Sequence, residues 1–315
     1  MKPNKTAFIF PGQGSQFMGM GQLLCDKYTV AREAYELADE WLGFPLSKFA
    51  WEGPEETLND TINTQPALMV HSVAALRVFQ ELISEFRPAY VAGHSMGELS
   101  ALVASEALPY REALHLVRRR GELMKRAGIV SPGGMAAVLG LDIPTLDEIC
   151  AQASTQDEVV QVANDNCPGQ VVISGASSAL ERAIGLAQEA KARRVVPLPI
   201  SIAAHSPLMI NAQEDFNIAV DSSPIQDPVI PIIGNVDARP LASAEHIKVD
   251  LQAQLTSRVR WTESVQYMIS HGIDTFIEIG SGSVLGGLIK RIDRQVQTLT
   301  LGTPEDFEKL ISALP

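Results

Sequence analysis

The stretch Ala89-Tyr90-Val91-Ala92-Gly93-His94-Ser95-Met96-Gly97-Glu98 decides how this chain folds. A short apolar run after Pro88 leads into Gly-X-Ser-X-Gly, and residues 98–104 read as the start of a buried helix. That is the spacing and setting of a nucleophile elbow, a sharp strand-to-helix turn whose glycines let neighbouring backbone come close. Ser95 would then stand above a helix N-terminus, where free amides and the helix dipole stabilise a developing oxyanion. An ordinary glycine-rich turn has the same spacing, so the rest of the chain has to decide between the two.

Toward the N-terminus, residues 6–10 read as a buried strand that runs into Pro11-Gly12-Gln13-Gly14-Ser15-Gln16. Phe17 stands where a dinucleotide fingerprint needs its third glycine, and no Gly-Lys-Ser/Thr follows to make a P-loop. The turn exposes backbone amides, either as a second source of oxyanion donors or as a plain tight turn. Residues 18–42 read as one helix closed by Gly43-Phe44-Pro45, and a second long helix is expected from about Pro66. His71 lies on the apolar side of that helix and reads as a core histidine with a hydrogen-bond partner.

Toward the C-terminus, a helix over residues 111–127 carries Arg118-Arg119-Arg120. Successive helical residues turn by about 100 degrees, so the three point apart. Only Arg120 falls on the apolar stripe of Ala113, Leu116, Val117, Gly121 and Met124. A guanidinium there needs an anion, either a substrate carboxylate or an internal one. After Pro132-Gly133-Gly134 the pattern becomes strand 135–141, helix 143–153, strands 159–164 and 170–174, helix 178–190 and strand 194–198. This βαββαβ order suggests a small ferredoxin-like domain over residues 129–199, inserted into a larger domain made of residues 1–128 and 200–315. The chain re-enters the larger domain at Pro199-Ile200-Ser201-Ile202-Ala203-Ala204-His205. His205 alone among the six histidines follows a strand-like apolar run and precedes a Ser-Pro break, which makes it the candidate general base for Ser95. No acid is spaced to announce a third triad member. Residues 229–233 and 275–279 read as further strands, the second followed by Gly280-Ser281-Gly282, a glycine turn for tight packing rather than an anion cradle.

Composition narrows the class. The chain has 315 residues, 46% hydrophobic and 20% charged, which is ample for a large core and excludes extended disorder. A formal charge of −12 argues against nucleic-acid binding, and an acidic protein partner would need a local basic patch such as Lys191, Arg193 and Arg194 or Lys290, Arg291 and Arg294. Both clusters also suit solvated helix ends. Cys25, Cys150 and Cys167 are odd in number and far apart, so neither a disulfide framework nor a zinc site is expected. No run approaches the roughly 18 apolar residues of a membrane span, and the apolar run before Pro11 is too short for a signal-peptide core. A cytoplasmic protein is the expectation.

Taken together, the motifs resemble the malonyl-CoA:acyl-carrier-protein transacylases of fatty-acid synthesis. Phe10-Pro11-Gly12-Gln13-Gly14-Ser15-Gln16, Thr64-Gln65-Pro66-Ala67-Leu68, Gly93-His94-Ser95-Met96-Gly97-Glu98, Arg120-Gly121, Asn166 with Pro168-Gly169-Gln170, His205 and Asn235-Val236-Asp237 occur in that family's order along nearly the whole chain. The resemblance implies an α/β-hydrolase-like core with a ferredoxin-like insertion. It implies Ser95 as nucleophile and His205 as its base, with the backbone amides of Gln13 and Met96 as oxyanion donors. Arg120 would pair with the malonyl carboxylate, Asn166 and Asn235 would bind substrate, and a carbonyl near Gln254 would orient the histidine. The implied partners of this monomer are malonyl-CoA and holo acyl-carrier protein, with no metal or cofactor, no nucleic acid and no membrane. Two departures stand out. Ser281 occupies a position where the family usually has proline, and Ile202-Ala203-Ala204 before the histidine matches neither the malonyl nor the methylmalonyl pattern of polyketide acyltransferases. Other readings are a trans-acting polyketide acyltransferase, a hydrolase clearing carrier-bound thioesters, and a non-catalytic module that docks a carrier protein.

Overall fold

The computed structural model describes residues 2–312. In chain order its strands are β1 (Thr6–Phe10), β2 (Tyr90–Gly93), β3 (Gly133–Leu139), β4 (Val160–Cys167), β5 (Gln170–Ala176), β6 (Arg194–Pro197), β7 (Ile232–Ile233), β8 (Pro240–Leu241), β9 (Thr275–Ile279) and β10 (Gln297–Leu301). The larger sheet has the order β10-β9-β1-β2-β7-β8, parallel except for the antiparallel edge strand β8. Every residue of β1 and β9 is buried, as central parallel strands covered on both faces must be. The two-residue period of β1 divides its side chains between the layers. Phe8 and Phe10 enter the core shared with the helices Thr61–Leu82 and Tyr110–Val130, whereas Ala7 and Ile9 pack against Trp261, Val265 and Leu285.

The smaller sheet is antiparallel, order β4-β5-β3-β6, with the helices Ile143–Ala153 and Ser177–Glu189 closing a separate apolar core. It is joined to the main body where Val259 N donates to Ala163 O (2.8 Å) and Asp165 N to Val259 O (2.9 Å). The fold is therefore mixed α/β with one large parallel and one small antiparallel sheet.

Several boundaries differ from the sequence expectations, each for a local reason. The helix expected over residues 18–42 is two helices, Gln22–Lys27 and Thr29–Leu42. Tyr28 between them is extended, and its ring packs edge-on against Phe307 of the C-terminal helix. The second long helix begins at Thr61, capped by the Asp60 side chain, and runs straight through Pro66. Proline has no N–H to give the Ile62 carbonyl, and Arg118 Nη1 donates to that carbonyl instead (3.0 Å). The strand expected over residues 229–233 shrinks to Ile232–Ile233, since Pro231 cannot donate to a ladder. His71 is a buried core histidine whose Nε2 lies 2.9 Å from Gly302 O. At the Gly280-Ser281-Gly282 turn the following helix, Val284–Ile292, receives its anion from within, because the buried Glu278 carboxylate accepts from Leu285 N and Gly286 N.

Parallel strands gather their following loops at one edge, where open α/β sheets bind ligands. Here the loops after β1, β2 and β7 carry Gln13, Ser95 and Asn235. The elbow fits only because of its glycines: a Cβ on Gly97 would lie 2.3 Å from Phe10 O, and one on Gly93 2.0 Å from the Gly97 carbonyl. Gly97→Ala is expected to cost about 1–3 kcal/mol by prising the elbow helix off β1, lowering the urea midpoint. An unchanged midpoint would contradict this close packing.

Candidate active site

Ser95 is held at φ 53° and His205 at φ 57°, both in the left-handed region. Each costs about 1–3 kcal/mol in a non-glycine residue, so the surrounding contacts must over-determine both turns. At the elbow the clamp is Asn235: its Oδ1 accepts from Ser95 N (2.7 Å) and its Nδ2 donates to Gly93 O (2.8 Å). Ser95 Oγ lies 2.7 Å from His205 Nε2, and His205 Nδ1 is 2.9 Å from Gln254 O and 3.2 Å from Ser257 O. Two carbonyls can only accept, so Nδ1 carries the proton and Nε2 is free to take one from the serine. No carboxylate is needed to fix that tautomer.

Burial first, then the nearby Arg120 charge, lowers the His205 pKa from 6.5 to about 3. The base is the neutral ring, and activity is lost only when the ring becomes protonated. A depressed pKa therefore moves the acid limb of the kcat/KM profile to below the ordinary histidine value. Acylation rates measured against pH are expected to hold as pH falls through 6.5, and a limb at or above that value would contradict this environment.

Two backbone N–H groups in the loops after β1 and β2 are without a protein acceptor among the described residues. Met96 N stands at the N-terminus of the helix Gly97–Ala104 and Gln13 N in the loop after β1. The Gln13 loop is fixed from two sides. Thr61 Oγ1 donates to Gln13 Oε1 (2.9 Å), and the buried Ser281 hydroxyl donates to Ser15 O (2.6 Å). Ser281 thus ties two site loops together, a bond that proline at this position could not make.

Arg120 is almost fully buried. Its Nη1 donates to Gln65 Oε1 (2.8 Å), and its Nη2 to Gln254 Oε1 (2.9 Å) and Ser95 Oγ (3.1 Å). Every one of these acceptors is neutral, and among the described residues no carboxylate lies within ion-pair distance. Burial lowers its pKa to about 10, which still leaves a full charge at neutral pH. The internal counter-ion left open by the sequence is absent among the described residues, and a buried cation without an anion is a site for an anionic group. From Arg120 the bonds continue through Gln65 Nε2 to Thr61 Oγ1 (2.9 Å) and on to Gln13. One chain of bonds therefore links guanidinium and Gln13 loop.

The remaining expectations resolve as follows. The Asn235 amide is committed to the elbow backbone. Asn166 reaches across from β4, with Oδ1 2.8 Å from His94 Nε2, and so braces the back of the elbow. Lys290 and Arg291 are exposed, yet both donate to the chain itself, Lys290 to Val296 O and Arg291 to Pro168 O and Gln170. The three cysteines are buried thiols. Among the described residues no cluster of three His, Cys, Asp or Glu could hold a metal, and no helix is long and apolar enough to cross a membrane. Sequence reasoning gave no role to Gln65, Thr61, Glu98 or Asp250. The available signal was weak: Gln65 closes the mostly polar run Thr61-Ile62-Asn63-Thr64-Gln65 just before the apolar stretch that follows Pro66.

Comparison with known proteins agrees with this geometry. Residues 7–301 match the acyl transferase domain family. The chain is 44% identical to the malonyl CoA-acyl carrier protein transacylase of Bacillus subtilis over 99% of its own length and 98% of that protein's. A crystal structure of a malonyl-CoA:acyl carrier protein transacylase from Xanthomonas oryzae superposes with a TM-score of 0.95, at 42% identity and 99% coverage of both chains. A malonyl-transacylase solved in complex with a type II PKS acyl-carrier protein superposes with a TM-score of 0.95, at 37% identity over 98% of this chain and 100% of that one. With likeness of this extent in both sequence and fold, the chain belongs to the acyl transferase domain family, among the malonyl-CoA:acyl-carrier-protein transacylases.

Proposed function

We propose that this enzyme moves a malonyl group from malonyl-CoA to the phosphopantetheine thiol of an acyl-carrier protein, through an ester on Ser95, in fatty-acid synthesis. One observation carries the choice of acyl group: a buried Arg120 without a carboxylate partner, 3.1 Å from the Ser95 hydroxyl. A malonyl ester on that oxygen brings its free carboxylate to the fork, with Gln65 and Gln254 holding the guanidinium in place.

The steps follow from the geometry. His205 Nε2 takes the Ser95 proton as Oγ attacks the thioester carbonyl, and the amides of Gln13 and Met96 hold the resulting oxyanion. Coenzyme A leaves with the proton returned by His205. The carrier thiol then gives its proton to His205, attacks the malonyl-serine ester, and Ser95 leaves reprotonated. One thioester is exchanged for another by way of an oxygen ester, with no net change of oxidation state, and the Ser95–His205 pair supplies the proton transfers. A cleft of about 310 Å³ opens beside Gln13 and Thr61, bounded by Lys125, Gly128 and residues 199–202, and suits the pantetheine arm of either substrate.

This reading treats the large sheet as an α/β-hydrolase-like domain of residues 1–128 and 200–315. The β4-β5-β3-β6 order supports a ferredoxin-like insertion over 129–199. The proposal includes a monomer acting in the cytoplasm on its two substrates. Service to a polyketide carrier is a second reading, favoured by the likeness to the transacylase solved with its type II PKS carrier. Intact mass after brief incubation with malonyl-CoA tests the function. A malonyl adduct that discharges onto holo acyl-carrier protein is expected, and release of free malonate and CoA in its place would make the enzyme a hydrolase. Comparing fatty-acid and polyketide carriers as acceptors separates the two pathways.

A further inference from the structure

Beneath the elbow lie two carboxyl groups that the transfer steps do not use. Glu98, in the first turn of the helix Gly97–Ala104, is fully buried, and Asp250, on the helix Ala244–Gln254, is nearly so. Asp250 and Gln254 lie one turn apart on the same face of that helix, and Gln254 bonds to Glu98, so the Asp250 carboxyl stands beside Glu98 and each feels the other. Asp250 Oδ1 accepts from Val236 N (3.2 Å), and Glu98 Oε2 accepts from Gln254 Nε2 (2.9 Å). With both groups ionised, the buried Glu98 Oε1 and Asp250 Oδ2 have no donor. A proton held by the pair removes the repulsion of two dry carboxylates and supplies the donor that these buried oxygens lack. Burial, reinforced by Asp250, pushes Glu98 well above the usual carboxylate range, and burial lifts Asp250 to about 6. The charged groups nearby are Arg120, which feels Glu98 from the helix Tyr110–Val130, and Asp237 beside Asp250.

We infer that Glu98 and Asp250 share one proton, and that Glu98 as the neutral partner is a positioning residue which fixes Gln254 between Arg120 and His205. Gln254 is hydrogen-bonded to Arg120, Ser95 and His205 alike. Its Nε2 donates to Glu98 Oε2 and Ser95 O (3.2 Å), which commits its Oε1 to Arg120, while its main-chain carbonyl holds His205. Without an acceptor at Glu98 the amide loses the contact that fixes which end faces the guanidinium. An ionised Glu98 would fix it equally well, but would set an anion one amide away from Arg120 and weaken its hold on the substrate carboxylate. A neutral acid orients Gln254 and leaves the arginine uncompensated. The effect on acyl choice rests on the carboxylate role of Arg120 proposed above; the shared proton does not.

Infrared difference spectra of the free enzyme at neutral pH, wild type against Glu98→Gln, test the proton directly. A protonated-carboxyl C=O band present in wild type and lost in the variant is expected, and its absence from wild type would overturn the inference whatever the enzyme's substrate. Kinetics test the positioning. Glu98→Ala is expected to raise the malonyl-CoA KM by about 10-fold or more, and Glu98→Gln, the isostere of a neutral acid, to restore it to within about threefold of wild type. A Glu98→Gln enzyme as impaired, or as poorly folded, as Glu98→Ala would show that the charge is required and defeat the proposal; an unimpaired Glu98→Ala enzyme would defeat the positioning role.

Discussion

Ser95→Ala is expected to abolish the acyl-enzyme and to lower malonyl transfer by at least about 10⁴-fold, the scale seen when a serine nucleophile is removed from a preorganised site. The substitution deletes one oxygen and leaves the clamp intact, because Asn235 bonds to the Ser95 backbone and not to its hydroxyl. The elbow should therefore keep its fold, and an unchanged thermal midpoint separates lost chemistry from lost structure. Intact mass gives the sharpest readout: wild type gains a malonyl adduct, and the variant gains none. What remains after the substitution reflects substrate binding and the donors at Gln13 and Met96, which are untouched. A variant that still formed the adduct would move the nucleophile elsewhere. Full biological activity in the Ser95→Ala strain would mean that the chain only docks a carrier protein.

The parts of this architecture that a sequence can encode locally were legible. Residues 6–10 show the continuous apolar run of a doubly covered parallel strand, and the βαββαβ pattern after Gly134 gave each element of the small sheet to within a few residues. Arg120 was found because it breaks an apolar stripe. His205 was found because it ends an apolar run, and its pairing with Ser95 is a contact over 110 residues of sequence separation that only the fold supplies. Where local reading failed, a tertiary partner had overridden propensity. Tyr28 interrupts a helix to reach Phe307, and Pro66 sits inside a helix because Arg118 satisfies the carbonyl it leaves bare. Gln65, Thr61, Glu98 and Asp250 act through bonds to side chains remote in sequence, and no period or spacing announces such bonds. The absent third acid is the same lesson in reverse. The Gln254 and Ser257 carbonyls that orient His205 are main-chain groups, identical for any side chain at those positions.

Arg120→Ala is expected to lower kcat/KM for malonyl transfer by about 10²- to 4 × 10³-fold while changing acetyl transfer far less. The reasoning starts from the resting enzyme, where the guanidinium is buried among neutral acceptors and has no anion. Malonyl supplies that anion, and acetyl leaves the cation unpaired in a site it has helped to dry. Losing one partner of a buried pair costs about 3–5 kcal/mol, and each 1.4 kcal/mol is about tenfold, which sets the predicted range. For acetyl the substitution removes no partner and relieves an uncompensated charge, so its rate should hold or rise. Loss of the Arg120 charge also removes the second-largest influence depressing His205, making the ring a somewhat stronger base. That change favours both acyl groups equally and cannot produce discrimination between them. Arg120→Lys should recover only part of the malonyl activity, since an ammonium cannot bridge Gln65, Gln254 and a carboxylate at once as the planar fork does. Equal losses for malonyl and acetyl in Arg120→Ala would show that the arginine serves to hold Ser95, Gln65 and Gln254 together, and the choice of acyl group would then have to come from the walls of the cleft.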